Sequence, residues 1–419
     1  MKFKPNIYNH DLDLLYKSKL LSFFDFSPLF WLQYRMIKNN KANDLIKAIN
    51  TLTNKRLYSL FEPIFKRCKN FSLPFFQQRI NDIDKSFNLN KIDQLSKILI
   101  SKLIKTKDIY VNSNEVIKEF CQINPLTKLE AEALFDYMII DMSLWMLAQS
   151  NMTKLSDEET FFIKKWNRLD PYFLIVIARD ASGFSAIAQY DRIINWLNSA
   201  DCQPRQLFEF DLNKEKQTLL RFDSSQAHIS MIHDVKSHQA YVENLLTESQ
   251  ARYAIGLYGE ERACYQAPQF KSDVCHESRS VHLGIDVFLN AYEKLYAPLD
   301  GEVISLKYNG EELDYGYTII LEHVVGETET KFYTLYGHLS KRSLELTKKG
   351  DIIKAGQAIG YIGDNTENGG WSPHLHFQIM THMLSCTSDF YGACEASLWP
   401  LWKQICPDPN LLMKVSINK

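Results

Sequence analysis

Four histidines and one aspartate near the C-terminal end of the chain have the residue types and the spacing of a metal site. His282 and Asp286 stand four residues apart in the stretch SVHLGIDVF, and His374 and His376 stand two apart in HLHFQIM. His338 is the next-to-last residue of the stretch KFYTLYGHL. Residues two or four apart on an extended strand share one face of a sheet, about 6–7 Å apart in the two-residue case. Each pair therefore presents its side chains to one side.

Zinc favours such a set of side chains. It binds neutral imidazole nitrogen and carboxylate oxygen, and a catalytic zinc takes three protein ligands with one position left for water. Three of the five groups can be ligands, which leaves two histidines for acid–base chemistry. A single histidine in a strand is more often structural. The three motifs together, within 95 residues of β pattern, favour metal binding.

The residues around these motifs predict a compact, mostly antiparallel β domain. From about residue 263 glycine becomes frequent, and short apolar or alternating runs are separated by Gly, Asp and Asn. The predicted strands are SVHLGIDVF, KLYAPLDGEVISLKYN, YTIILEHV, KFYTLYGHL, AIGYIGD and HLHFQIM.

The rest of the chain has a different pattern of apolar residues and glycine, so the predicted fold class is α+β with several domains. Residues 1–155 repeat Leu, Ile and Phe at three- and four-residue steps and contain no glycine, which predicts a mostly helical domain of unknown role. Residues 156–262 are predicted to be a connecting α/β region. In that region His228, His233 and His238 are five residues apart, a spacing that suits neither a helix face nor a strand face, and we interpret them as linker residues.

Residues 263–412 resemble the lysostaphin/LytM-type zinc metallopeptidases, which share a barrel-like antiparallel β fold called the duplicated hybrid motif. The resemblance lies in HxxxD, YGHL, HLHF and the stretch GDIIKAGQAIG before HLHF. It implies that His282, Asp286 and His376 are zinc ligands. It also implies that His338 and His374 flank the attacking water.

Two features depart from the family pattern, and both bear on the substrate groove. Gln378 stands where the family usually has Glu, and the approach to HLH is DNTENGGWSP rather than a small Ser/Gly-rich stretch. Residues 183–408 also resemble, more faintly, the peptidase-like central region of cytosolic fusions between a kinase-like domain and a class III aminotransferase.

We expect a zinc-dependent hydrolase, a metalloendopeptidase that cleaves an amide bond with zinc-activated water. The substrate would be a peptide, with bacterial cell-wall peptide the family's typical case. No Glu stands beside a ligand histidine in an HExxH arrangement, so a histidine is the expected base. The alternative is a non-catalytic binding or scaffold protein, which the complete set of five residues disfavours.

Charge is distributed unevenly and suggests a separate partner for the first quarter of the chain. Residues 1–110 carry 20 Lys/Arg against 9 Asp/Glu, a net of +11, whereas the whole chain has a formal net charge of -2. An acidic protein or an anionic membrane is the expected partner there, and the lack of an aromatic-interleaved basic motif disfavours nucleic acid. The start of the sequence lacks the features of a signal peptide. We therefore expect a cytoplasmic protein, or one exported without a recognisable N-terminal signal.

Overall fold

The computed structural model describes residues 88–134, 168–265, 270–272 and 275–417, together with positions 138, 157, 161, 164 and 165. The chain divides into two compact units, one of Met1–Phe184 with Asp273–His276 and one of Ser185–Ser272 with Glu277–Lys419. Most of the basic segment 1–110 lies outside the described residues. The predicted boundaries at residues 155, 262 and 412 stay predictions.

The described part of the first unit is helical, as the apolar periodicity predicts. Its helices are α1 (Leu89–Leu103), α2 (Ile109–Ile123) and α3 (Pro171–Ala181). Helix α3 begins where the Asp170 carboxylate accepts hydrogen bonds from the backbone N–H groups of Tyr172 and Phe173. Within the described residues, no helix is long and apolar enough to cross a bilayer.

The second unit is rich in strands. Its helices are α4 (Tyr190–Leu197), α5 (Val235–Ser249), α6 (Trp399–Ile405) and α7 (Asn410–Met413). Its strands are β1 (Gln217–Leu219), β2 (Tyr253–Gly256), β3 (Arg279–His282), β4 (Ile285–Phe288), β5 (Lys294–Tyr296), β6 (Gly301–Asn309), β7 (Gly316–Val324), β8 (Lys331–Leu339), β9 (Ile352–Ile353), β10 (Ala358–Tyr361), β11 (His374–Met380) and β12 (Ala393–Glu395).

Eight of these strands form one sheet in the order β1-β2-β4-β11-β8-β7-β6-β9. All its pairs are antiparallel except β1 with β2. Two smaller pairings join β10 to β5 and β12 to β3. Among the described strands no pairing closes the sheet. The α+β class is therefore confirmed, whereas the barrel-like closure is not.

Strand β11 lies in the middle of this sheet and all seven of its residues are buried. Leu375, Phe377 and Ile379 alternate with the histidines and enter the main apolar core. The core also contains Ile285 and Val287 of β4. These apolar side chains of β11 and β4 have almost no exposed area. Their packing fixes the two strands side by side, and with them the histidines on the other face of β11.

The structure agrees with the predicted strands KFYTLYGHL and HLHFQIM residue for residue, but it divides SVHLGIDVF in two. His282 ends β3, which pairs with β12, and Asp286 lies in β4, which pairs with β2 and β11. The expected continuous strand through His282 and Asp286 is therefore wrong. Gly284 lies at this break, and a Cβ there would come within 2.5 Å of the His376 ring.

Candidate metal centre

Strand pairing brings two of the predicted ligands directly opposite each other. His376 of β11 is the register partner of Asp286 of β4, and His374 is the partner of Phe288. His282 is the last residue of β3 and lies outside the large sheet. Only Leu283 and Gly284 separate it from β4, so it lies close to Asp286 and His376.

The three donor atoms stand at tetrahedral spacing. His282 Nε2 lies 3.0 Å from His376 Nδ1 and 3.3 Å from Asp286 Oδ1. His376 Nδ1 lies 3.1 Å from Asp286 Oδ1. Ligands bound to zinc at about 2.0–2.1 Å in a tetrahedron are about 3.3 Å apart, so the trio fits a zinc ion with little movement. His282, Asp286 and His376 are also a compact group of potential ligands among the described residues.

Hydrogen bonds to the other ring nitrogens fix which imidazole atom each ligand can offer. His282 Nδ1 donates to the carbonyl oxygen of Leu257 over 2.9 Å, which leaves Nε2 unprotonated. His376 Nε2 donates to Oε1 of Gln378 over 2.9 Å, which leaves Nδ1 unprotonated. These are the two nitrogens that face Asp286, so both rings are oriented for metal binding before a metal arrives.

The site is buried, and burial sets its protonation. His282, Asp286 and His376 are each at most 3% exposed. Burial and the nearby Arg262 guanidinium lower the pKa of His282 to about 4, so its imidazole is neutral near pH 7. Burial alone would raise the pKa of the Asp286 carboxyl, but His282 and Arg262 hold it well below its usual range. Neutral imidazole and ionised carboxylate are the forms that bind zinc.

The structure also places His338 and His374 at this site. Their ring centroids are 4.1 Å apart, and His374 Nε2 lies 3.9 Å from Asp286 Oδ1. His374 Nδ1 donates to the Ser372 carbonyl and His338 Nδ1 to the Asn368 carbonyl. Both Nε2 atoms are therefore left as proton acceptors.

The backbone of His338 is in the left-handed region, with φ at 61°. Such a conformation is uncommon for a residue with a side chain and costs about 1–3 kcal/mol. It is held by a 2.7 Å hydrogen bond from the His338 N–H to the Tyr315 carbonyl. The left-handed backbone near the end of β8 therefore falls on His338, one of the two histidines predicted to flank the attacking water.

Arg262 contacts the predicted ligand Asp286, which the sequence reasoning did not anticipate. Its Nη1 atom lies 2.7 Å from Asp286 Oδ2, and its side chain is 3% exposed. No motif marks it, because it is 24 residues away from Asp286 in a segment without a metal-binding pattern. The register of β2 against β4, which pairs Gly256 with Asp286, brings that segment to the site, and a bridge between Glu261 and Val281 holds it beside β3.

The interpretation of His228 and His238 as linker residues is wrong. Both are at most 2% exposed and pack around Phe222, whose ring lies 5.2 Å and 6.1 Å from theirs. His238 Nδ1 is 2.7 Å from the Ser372 hydroxyl, next to the carbonyl that orients His374. His233, by contrast, is exposed.

A cleft of about 320 Å³ opens from the site. His338 and His376 form part of its wall, and six of the other thirteen lining residues are aromatic. Its aromatic residues include Tyr265, Tyr315, Trp371, Phe390 and Tyr391. Arg279, Asp314 and Asp389 supply charge on the same lining.

Residues 280–386 match Peptidase family M23. This segment contains all five residues of the predicted site. Residues 280–386 form a Peptidase family M23 domain.

Two known proteins similar to this M23 domain are staphylococcal peptidases. Glycyl-glycine endopeptidase ALE-1 of Staphylococcus capitis is 36% identical over 106 residues, which are 25% of this chain and 26% of that protein. Lysostaphin of Staphylococcus simulans is 33% identical over 107 residues, 25% of this chain and 19% of the relative. The chain therefore spans only about a fifth to a quarter of these relatives.

Among solved structures, the catalytic domain of the antimicrobial peptidase lysostaphin from Staphylococcus simulans aligns at 25% identity. The alignment covers 39% of this chain and 97% of that domain, with a TM-score of 0.24.

Proposed function

We propose that the M23 domain is a zinc-dependent metallopeptidase that hydrolyses a peptide amide bond. The observation that carries the proposal is the trio of His282 Nε2, Asp286 Oδ1 and His376 Nδ1, buried and spaced at 3.0–3.3 Å. Three protein ligands with one open position are typical of a catalytic zinc, whereas structural zinc sites are closed by four. Membership of the M23 family supports the same activity.

A zinc ion at this trio would act as a Lewis acid that polarises the scissile carbonyl and activates water. The chain's own residues would then move protons. Nε2 of His338 or His374 accepts the proton that water loses as it attacks the carbonyl carbon. The same imidazolium returns a proton to the leaving amine nitrogen, so the C–N bond breaks without an unstable amide anion. The other histidine can donate to the developing negative charge only in its protonated form, because its Nδ1–H is already engaged by a backbone carbonyl.

The cleft and the relatives support a peptide as the substrate. Six aromatic residues line the cleft, with one Arg and two Asp residues as the charged groups, and ALE-1 is named a glycyl-glycine endopeptidase. We therefore propose glycine-containing peptides of the cell-wall type as the first substrates to examine. Recruitment of an acidic protein or anionic membrane by residues 1–110, and the location of the protein in the cell, stay predictions.

The decisive experiment combines metal analysis with peptide cleavage. Purified protein should carry about one zinc per chain and cleave a glycine-containing peptide, with the products identified by mass spectrometry. Replacing Asp286 with Ala removes one of three ligands and should abolish both zinc and cleavage. The matched control is Asp300→Ala, which removes an exposed carboxylate paired with Lys354 on the same domain.

Three outcomes separate the hypotheses. Zinc and cleavage that are lost together in Asp286→Ala and retained in Asp300→Ala support the metallopeptidase. Full zinc occupancy in Asp286→Ala contradicts the ligand assignment. Stoichiometric zinc without cleavage of any peptide in a diverse library favours the scaffold alternative.

A further inference from the structure

We propose that Arg262 is a positioning residue that holds Asp286 as a ligand through one oxygen only. This inference rests on the proposed zinc site. Arg262 lies outside residues 280–386, so a segment before the M23 match would complete the metal centre.

The two oxygens of Asp286 have different partners. Oδ1 faces the two ligand imidazoles, at 3.3 Å from His282 Nε2 and 3.1 Å from His376 Nδ1. Oδ2 faces away and is held by Nη1 of Arg262 at 2.7 Å. With Oδ2 engaged by a guanidinium, the carboxylate cannot rotate to offer both oxygens to the metal. The fourth position then stays open for water.

Arg262 is itself held from several sides. Nε lies 3.3 Å from a carboxylate oxygen of Glu260, and Nη1 donates to the hydroxyl of Tyr265 over 2.9 Å. The guanidinium carbon lies 4.6 Å from the centre of the Phe222 ring, a cation–π contact. Gly256 leaves room for the group, because a Cβ there would lie 2.7 Å from Nη2.

A lysine could not reproduce this arrangement. The guanidinium is planar and places its donors in a fixed fork, so it bridges Glu260 and Asp286 while it lies over Phe222. An ammonium group keeps the charge but is a point donor on a flexible stem. Arg262→Lys therefore keeps a cation between two buried carboxylates, yet it releases the orientation of Asp286.

The experiment measures zinc affinity and the spectrum of the cobalt-substituted full chain. Loss of a partner that orients a metal ligand weakens metal binding about 10–100-fold. We expect Arg262→Lys to weaken zinc binding at least about tenfold, in competition with a chromogenic chelator. Four-coordinate Co²⁺ absorbs visible light more strongly than five-coordinate Co²⁺. A second bound oxygen of Asp286 should therefore reduce the absorption of the variant.

The control is Arg252→Lys. Arg252 also pairs with a glutamate, Glu293, and lies 5.0 Å from the centre of a phenylalanine ring, Phe210. It contacts none of the ligands, so zinc affinity and cobalt spectrum should not change.

A folded Arg262→Lys variant with wild-type zinc affinity and cobalt spectrum would overturn the inference and leave the proposed function intact. If that variant does not fold, the Tyr265→Phe variant tests the inference instead. It removes only the hydroxyl that contacts Nη1, and it should weaken zinc binding in the same direction by a smaller factor. Unchanged affinity and spectrum in Tyr265→Phe would then overturn the inference. Absence of zinc from the wild-type protein would remove the proposed function itself, and this inference with it.

Discussion

Oε1 of Gln378 accepts a hydrogen bond from Nε2 of His376 over 2.9 Å, and both side chains are buried on β11. The amide nitrogen of Gln378 donates to the Tyr391 carbonyl and to Sγ of Cys406. These contacts fix which end of the amide faces His376. The neutral amide of Gln378 therefore orients the imidazole of His376, at the position where the family resemblance leads one to expect a glutamate.

Replacing Gln378 with Met should weaken zinc binding about 10–100-fold, because the ring of His376 loses the acceptor that fixes its orientation. Titration with zinc against a competing chelator measures the effect. Gln378→Glu is the matched control, since it retains an acceptor for His376. That variant should keep zinc, but it loses both donated hydrogen bonds and about 1–3 kcal/mol of the free energy of unfolding. Equal zinc affinity in all three proteins would rule out this role.

His338→Ala and His374→Ala should each keep zinc and lose hydrolysis. Neither residue belongs to the trio of donor atoms, and each offers an Nε2 atom beside it. General acid–base groups contribute about 10²–10⁴-fold to a rate, so kcat should fall within that range. Metal analysis of the same preparations checks the assignment. Loss of zinc in either variant would mean that a proton-transfer residue has been confused with a ligand.

Some of this site could be predicted from the sequence because strand periodicity is a local property. The alternation of His374, His376 and Gln378 with Leu375, Phe377 and Ile379 gave β11 and its two faces. The pairing of His376 with Asp286 follows from the order of strands in the sheet. That order depends on contacts between distant segments.

Two features of the site could not be found in this way. The break between β3 and β4 lies at Gly284, where β3 pairs with β12 and β4 pairs with β2 and β11. The close approach of Gly284 to His376 is a contact between residues 92 positions apart in the chain. Arg262 reaches Asp286 because β2 lies beside β4 and the segment after β2 pairs with β3. Nothing in the sequence of residues 253–262 indicates a metal site, since a buried arginine has no characteristic spacing.

Gly284→Ala should remove zinc by displacing His376. The added Cβ would stand 2.5 Å from Cε1 and 2.6 Å from Nε2 of the His376 ring, and 2.8 Å from the Phe377 carbonyl oxygen. Overpacking of this kind costs about 1–3 kcal/mol. Gly350→Ala is the control: its φ is +91°, which disfavours alanine, but nothing lies within 4 Å. Both variants should lose thermal stability, and only Gly284→Ala should lose metal.

The domain should lose stability as pH falls from about 6.5 to about 4, partly through His323. This histidine is 1% exposed, and burial lowers its pKa to about 4, although the Asp300 carbonyl favours its protonation. The unfolded chain, with a pKa near 6.5, then binds more protons than the folded one. Stability is therefore full above about pH 6.5 and is lost as pH falls through this window.

Urea unfolding of metal-free protein at several pH values measures this contribution. His323→Gln should reduce the pH slope of the unfolding free energy, by at most about 1.4 kcal/mol per pH unit for one proton. His233→Gln, at an exposed histidine, should leave the slope as it is in the wild type. A slope unchanged by His323→Gln would show that the other buried histidines and carboxylates account for the acid sensitivity.

A fragment of residues 185–419 should fold and bind one zinc, whereas a fragment of residues 263–419 should do neither well. Strand β2 pairs with β4 beside the ligand Asp286, and Tyr253 of β2 is fully buried. Ile193, Leu197 and Phe208 belong to the same apolar core as Ile285 and Phe377. Removing residues 185–262 would expose that core, leave an edge of β4 unpaired and remove Arg262. Unfolding curves and zinc titration of both fragments give the comparison. A shorter fragment that unfolds cooperatively and binds zinc as tightly as the longer one would place the boundary of the catalytic unit at residue 263, and residues 185–262 would then be dispensable to the metal centre.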